Sequence, residues 1–160
     1  MKLIKAVVFL VVTMFIVAPA FAQNAPADNM QILRDKIKAD KKFVVAENMQ
    51  LTESEAKGFW PVYDAYQKDL GKINKRIVTM IESYADAYNG NSLDNAKAKK
   101  LTSEFLAIQT DEVKLMQSYV PKLSKVLPAA KVLRYLQIEN KIRTLVKYEL
   151  AVQIPLVPGK

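Results

Sequence analysis

The chain has 160 residues, with 24 Lys and Arg against 16 Asp and Glu, a net charge of +8, no Cys, no His and four Gly. Without Cys there is no disulfide, no thiolate metal site and no cysteine nucleophile. Without His, the commonest metal ligand and general acid–base group are missing. Phosphate loops and dinucleotide fingerprints need clustered Gly. We therefore predict that the protein is not an enzyme and holds no cofactor or metal ion.

Residues 1–22 have the pattern of a secretory signal peptide. Lys2 and Lys5 form a positive start, an apolar run extends from Ala6 to Ala18, and Ala20-Phe21-Ala22 is a small-x-small cleavage site. The run is shorter than the roughly 20 residues that a bilayer span needs. Cleavage after Ala22 is therefore predicted, and the alternative is an uncleaved anchor. Either way we expect export to the periplasm of a Gram-negative bacterium, with a net charge of +6 after cleavage.

The remaining sequence predicts an all-α fold in one helical domain over residues 29–154. A polar, Pro-containing leader precedes it over 23–28, and a tail follows over 155–160. No pair of alternating segments typical of strands is present. We expect four helices: two long antiparallel helices with heptad patterning, joined at residues 89–92 as a kinked hairpin, and two shorter flanking helices.

The first helix is predicted over roughly residues 29–47. Asp28 can cap it, and one face carries three apolar residues: Met30, Leu33 and Ile37. The apolar run over residues 43–45 is compatible with a strand, but it is short and flanked by charge, which favours continuation of the helix.

The second helix has the clearest start. Thr52 and Glu55 form a Thr-x-x-Glu capping box, and Leu51 can act as the staple residue. Apolar residues then recur at alternating spacings of four and three, a heptad seam that predicts left-handed, coiled-coil-like packing. The seam consists of Phe59, Tyr63, Tyr66, Leu70, Ile73, Ile77, Met80, Tyr84 and Ala87.

Two features interrupt or end this helix. Pro61 should kink it; alternatively, Gly58 ends a first turn and Pro61 restarts the helix. Asn89-Gly90-Asn91 is a turn signal, so the helix should end near Tyr88.

Ser92 can cap the third helix, with Asp94 favourable in its first turn. Two adjacent apolar stripes predict a wide buried face that touches two neighbours. Pro121 should kink the helix and Pro128 should end it. The first stripe is Leu101, Phe105, Ile108, Leu115 and Tyr119, and the second is Leu106, Val113, Met116, Val120 and Leu123.

Pro128 is also suited to the first position of the fourth helix. Its buried side is predicted to consist of Val132, Tyr135, Leu136, Ile138, Ile142, Leu145, Val146 and Leu150.

This pattern resembles the LTxxQ family of Spy-like and CpxP-like periplasmic proteins. The segment Leu51-Thr52-Glu53-Ser54-Glu55 matches the first motif, with Glu55 where the family has Gln. The segment from Val126 to Ala130 lies where the second motif would fall and keeps its Leu and Pro128. The resemblance implies a homodimer whose concave face holds unfolded clients without ATP. It also implies that Leu51, Thr52, Glu55 and Pro128 are helix-start residues rather than catalytic ones.

Positive charge is concentrated in residues 113–160, which carry nine basic and two acidic side chains. This composition indicates a surface that attracts acidic clients or anionic lipid headgroups; a solvated face that keeps the protein soluble is an equal alternative. Peripheral membrane contact is compatible with either. Nucleic acid is an improbable partner for an exported chain. The candidate binding residues are Lys122, Lys125, Lys131, Arg134, Lys141 and Arg143.

Trp60 lies off the heptad seam, next to Pro61. It is a candidate anchor for a client or a second subunit, because Trp is enriched at binding hot spots. Equally, it can cover the open end of the hairpin.

These observations favour an ATP-independent chaperone or envelope-stress accessory protein that binds unfolded or acidic clients. A regulatory protein that binds the domain of an envelope sensor is the second hypothesis. A structural protein associated with outer-membrane lipid is the third.

Overall fold

The computed structural model describes residues 40–159, and within this part of the chain there are four helices and no strand. They are α1 (residues 40–49), α2 (Glu53–Asn89), α3 (Asn95–Ser124) and α4 (Ala129–Gln153). The predicted all-α, four-helix fold is confirmed. The predicted signal peptide, the leader and the stretch of the first helix containing Met30, Leu33 and Ile37 lie outside the described residues.

The described chain forms two compact units. The hairpin unit covers residues 52–132 and contains α2, α3 and the first turn of α4. The terminal unit covers residues 40–51 and 133–159 and contains α1 and the rest of α4. The domain boundaries expected at residues 29 and 154 stay a prediction.

The capping box at the start of α2 is present as expected. The Thr52 hydroxyl oxygen accepts a hydrogen bond from the Glu55 N–H at 3.3 Å, and the Glu55 carboxylate accepts one from the Thr52 N–H at 2.8 Å. The helix then continues without a break through Gly58 and Pro61. The alternative in which Gly58 ends a first turn is therefore wrong, because Glu53–Asn89 form one helix with Pro61 inside it.

The heptad seam of α2 faces α3 and is buried most completely in its first half. Phe59 to Ile73 are buried at every seam position, whereas Ile77, Met80 and Tyr84 are half-buried and Ala87 is buried again. The hairpin is thus packed more tightly near the start of α2 than towards its turn.

The turn between α2 and α3 differs from the prediction at the helix cap. Asp94, not Ser92, is the N-cap of α3, and its carboxylate accepts a hydrogen bond from the Lys97 N–H at 2.7 Å. Ser92 instead donates its N–H to the Ala87 carbonyl at 2.9 Å. Asn91 adopts a positive φ of 49°. The residues between the two helices therefore reverse the direction of the chain before α3 begins.

The junction between α3 and α4 also differs in detail. The third helix ends at Ser124 rather than at Pro128, because the Leu123 carbonyl accepts hydrogen bonds from the N–H groups of Val126 and Leu127. Pro128 lies one position before α4, where its carbonyl accepts from Lys131 and Val132 at 2.9 and 3.0 Å. It is therefore the N-cap of α4 and not its first residue.

The prediction that both apolar stripes of α3 are buried is wrong. Ile108, Tyr119 and Leu123 are buried, but Phe105, Leu106 and Val113 are 50%, 57% and 57% exposed. One side of α3 packs on α2. The spacing of apolar residues alone does not reveal whether a second helix is available to cover its other side.

The terminal unit has a small core with a charge inside it. Val45, Met49, Tyr135 and Ile142 are buried, and Glu139 beside them is 0% exposed. Lys41 donates a hydrogen bond to the Glu139 carboxylate at 2.6 Å and lies largely out of water itself. Pairing offsets the high cost of desolvating the carboxylate. None of the helices described is long and apolar enough to cross a bilayer.

Gly58→Ala should destabilise the protein by about 1–3 kcal/mol, because a Cβ at this position would lie 2.9 Å from Val126 Cβ. Gly71→Ala is the matched control within the same helix. No atom lies within 4 Å of its added Cβ, so it should stabilise by about 0.5–1 kcal/mol through helix propensity. Urea unfolding followed by circular dichroism measures both. Equal effects of the two substitutions would contradict the close approach at Gly58.

Lys41→Met should cost about 3–5 kcal/mol, because it removes the ammonium group that binds the fully buried Glu139 carboxylate at 2.6 Å. Lys41→Met combined with Glu139→Leu should recover most of this loss, since two apolar groups then replace the pair. The free energy of unfolding of the single and double variants tests this. A double variant as unstable as the single one would show that the buried charge is not the cause.

Candidate functional site

The start of α2 is joined to the start of α4 by an ion pair. The Lys131 ammonium donates to the Glu55 carboxylate at 2.5 Å, and the same oxygen accepts from the Thr52 N–H. The hydrogen bond from Lys131, followed by that from Thr52, lowers the pKa of Glu55 below its ordinary value of 4.5. Leu51, the predicted staple residue, is half-buried. The motif residues thus form a structural junction.

This junction changes the interpretation of one candidate binding residue. Lys131 was expected on a basic surface, but it is half-buried and its ammonium is engaged by Glu55. The pairing also gives a local reason for Glu at position 55, because a neutral amide could cap the helix but could not neutralise Lys131.

A second set of charges joins the middle of α2 to α3. The Arg76 guanidinium donates to Glu104 at 2.8 Å and to Asp111 at 2.6 Å. These two hydrogen bonds raise the pKa of Arg76, and Arg76 in turn lowers the pKa of Glu104. Two of the three carboxylates on α3 are therefore directed towards α2, and the third, Glu112, is buried.

A third polar contact lies nearer the start of α2. The Tyr119 hydroxyl donates to Asp69 at 2.7 Å, while burial, followed by this hydrogen bond, raises the pKa of Tyr119 to about 12. Lys72 and then Tyr119 lower the pKa of Asp69. The candidate residue Lys122 places its ammonium 3.9 Å from the centre of the Tyr119 ring, a cation–π geometry, and remains exposed, as does Lys125.

Trp60 belongs to an aromatic cluster and is half-buried. Its ring meets those of Phe59 and Tyr63 edge to face, at centroid distances of 5.0 and 5.4 Å. Part of the indole is thus used in packing, and its role as an anchor for a partner stays a prediction.

The remaining candidates lie on α4 in the terminal unit. Arg134 is exposed but donates from Nε to the Asn48 carbonyl at 2.5 Å, which satisfies a carbonyl in the last turn of α1. Lys141 is exposed and Arg143 is half-buried. The seven predicted residues therefore do not form one site: Trp60, Lys122, Lys125 and Lys131 belong to the hairpin unit, and Arg134, Lys141 and Arg143 belong to the terminal unit.

One surface of α4 combines basic and apolar side chains. We call it the α4 stripe and define it as Arg134, Lys141, Tyr148 and Val152. Spacings of seven, seven and four residues place these side chains along one side of the helix. Tyr148 and Val152 are 63% and 67% exposed, and every exposed charged side chain of α4 is basic.

Sequence reasoning missed the burial of two carboxylates. Glu112 lies four residues after Ile108 and seven before Tyr119, and Glu139 lies between Tyr135 and Ile142 at spacings of four and three. Both positions continue an apolar stripe, and this periodicity was the signal that could have found them.

Within residues 40–159, no three acidic side chains are grouped as a metal site would require. No family model, characterised protein or solved structure shows a significant match to the chain. The resemblance to the LTxxQ family stays a prediction.

Glu55→Gln should remove a pH-dependent part of the stability. Because the folded-state pKa of Glu55 is lowered, its ionised form stabilises the fold above the unfolded-state pKa, and this contribution is lost as the pH falls through the folded-state value. The wild type should exceed Glu55→Gln in free energy of unfolding at neutral pH, and the difference should shrink at about pH 3.5.

Urea unfolding at both pH values measures this difference, and Glu53→Gln, in the same helical turn, is the matched control. A difference between wild type and Glu55→Gln that persists unchanged at low pH would refute the role of the ionised carboxylate.

Proposed function

We propose that the protein is an exported, ATP-independent chaperone or envelope-stress accessory protein that binds unfolded, acidic protein segments on the α4 stripe. The observation that carries this proposal is the pairing of exposed cations with exposed apolar side chains along one side of α4.

The acidic side chains of α4 are buried or half-buried, and this supports the proposal. Glu139 is fully buried against Lys41 and Glu149 is half-buried, whereas Arg134, Lys141 and Lys147 are exposed. The charge that α4 presents to solvent is therefore positive. A positive surface attracts acidic segments over distances of about a Debye length and releases them as salt is added.

The exposed apolar groups supply the second part of the interaction. Tyr148 and Val152 lie more than half exposed, so covering them removes apolar surface from water, at about 25 cal/mol for each Å². An unfolded polypeptide offers apolar side chains and backbone that can contact such a surface without a defined shape. This combination favours weak binding of many clients over tight binding of one.

An anionic lipid surface shares part of this chemistry, because headgroups attract Lys and Arg and the interface accepts Tyr. We favour protein clients because the exposed apolar side chains of the stripe are only two, which is a small face for a helix lying in an interface. Lipid binding is therefore one outcome of the test below.

The purified protein should suppress the aggregation of an acidic client that is unfolded by reduction of its disulfides. Reductant leaves this protein unaltered, because it contains no Cys. Lys141→Glu should weaken the effect roughly fivefold, since one favourable charge becomes unfavourable, and Tyr148→Ser should weaken it at all salt concentrations. Light scattering against the molar ratio of chaperone to client measures both effects.

Lys100→Glu is the matched control, because Lys100 is also exposed but lies on α3. Suppression that falls equally with Lys141→Glu and Lys100→Glu would mean that only net charge matters. Unchanged client aggregation together with flotation on anionic vesicles would replace this proposal with the lipid hypothesis.

A further inference from the structure

A short apolar segment with two prolines follows α4. We call it the proline segment and define it as residues 154–158, with the sequence Ile-Pro-Leu-Val-Pro. The Ile154 N–H donates the last helical hydrogen bond, to the Leu150 carbonyl at 3.0 Å. Pro155 ends the helix, because it has no N–H and its ring disfavours helical geometry at the residue before it. Residues 155–159 belong to no helix, strand or turn.

The side chains of the proline segment are accessible to another molecule. Leu156 and Val157 are 89% and 60% exposed, and both prolines are exposed as well. Ile154 is half-buried, so the segment is anchored at the end of α4 by its first residue. A chain segment that only has to stay in solution is rich in polar and charged residues, whereas this one has none at five successive positions.

The spacing of the two prolines is the feature that indicates a binding mode. Pro155 and Pro158 lie three residues apart, and each follows an apolar residue, Ile154 or Val157. A polyproline II helix has three residues per turn, so in that conformation both prolines lie along one edge and both apolar residues along the next. Such P-x-x-P segments bind in shallow grooves lined with aromatic side chains.

The composition argues against the other ways in which a segment binds a protein. Backbone N–H groups alternate in direction along a strand, so of two prolines three residues apart one faces either edge and breaks a ladder of hydrogen bonds. Two prolines within four residues also prevent binding as a helix. Recognition by charge requires charged side chains, and the proline segment contains none.

We propose that the proline segment binds, as a polyproline II helix, in an aromatic-lined groove of a partner protein. The two prolines pack against the aromatic rings, with Val157 and the exposed part of Ile154 beside them. Leu156 lies on the third edge of the helix and faces away from the groove. Because the prolines already restrict the backbone, little conformational entropy is lost on binding.

A charge next to the segment favours one kind of groove. Lys160 follows Pro158 by two positions in the sequence. A groove that has acidic side chains at one end therefore matches this part of the chain in charge as well as in shape.

The contact surface is small, and we therefore expect weak and reversible binding. Five residues of polyproline II helix extend about 16 Å at 3.1 Å per residue, which offers far less surface than a stable protein–protein interface buries. The segment lies beyond Val152, the last residue of the α4 stripe. The inference thus goes beyond client binding and is tested separately from it.

Titration of the purified protein into a panel of isolated SH3 domains, followed by NMR of each domain, tests the proposal. The wild type should shift the resonances of the aromatic groove. Pro155→Ala combined with Pro158→Ala should weaken binding at least about tenfold, because both ring contacts are lost. Leu156→Ser is the matched control and should bind like the wild type. Circular dichroism checks that the variants keep their helix content.

A variant that exchanges two neighbours tests the spacing. Val157→Pro combined with Pro158→Val keeps the composition but places the prolines two residues apart, so it should bind as weakly as the double alanine variant. Equal binding by this variant and the wild type overturns the proposal, and so does a wild type that shifts no resonance of any domain. Flotation with phosphatidylglycerol vesicles that depends on Leu156 and not on the proline spacing would replace the proposal with insertion into lipid.

Discussion

The packing of the hairpin unit depends on the contacts at the start of α2, where three segments of the chain meet. Thr52 begins the helix, Glu55 completes the capping box and Lys131 reaches the same carboxylate from α4. One turn further along, Val126 lies so close to Gly58 that there is no room for a Cβ atom at this position. One carboxylate therefore satisfies a helix end and neutralises a half-buried cation.

Charge pairing determines what the surface of the protein presents to its surroundings. Arg76 engages two carboxylates of α3, and Lys41 engages Glu139 of α4. Acidic groups are thus directed inward on both helices, although the chain as a whole is only moderately basic. The exposed surface is apolar at Leu106 and Val113 of α3 and is cationic along the α4 stripe. Both helices therefore expose few negative charges, because their carboxylates form ion pairs with Arg76 and Lys41.

Periodicity and capping chemistry were sufficient to predict the helices, because each depends on residues that are close in sequence. The capping box at Thr52 and the seam from Phe59 to Ala87 are of this kind. The exposure of Leu106 and Val113 was not predictable, since an apolar stripe reports amphipathicity and not the presence of a neighbour. The pair between Glu55 and Lys131 joins residues 76 positions apart, and nothing local indicates it. The candidate basic residues were found by composition, but their division between two units required the fold.

The pairing of Lys41 with Glu139 has a consequence for the order in which the chain folds. All of residues 52–132 lie between the two segments of the terminal unit. Closing a disordered loop of that length costs about 4 kcal/mol of chain entropy. A folded hairpin unit shortens the effective loop, and its own contacts are largely between neighbouring helices joined by short turns. We expect the hairpin unit to assemble first and the terminal unit to close afterwards, when the last segment of the chain becomes available.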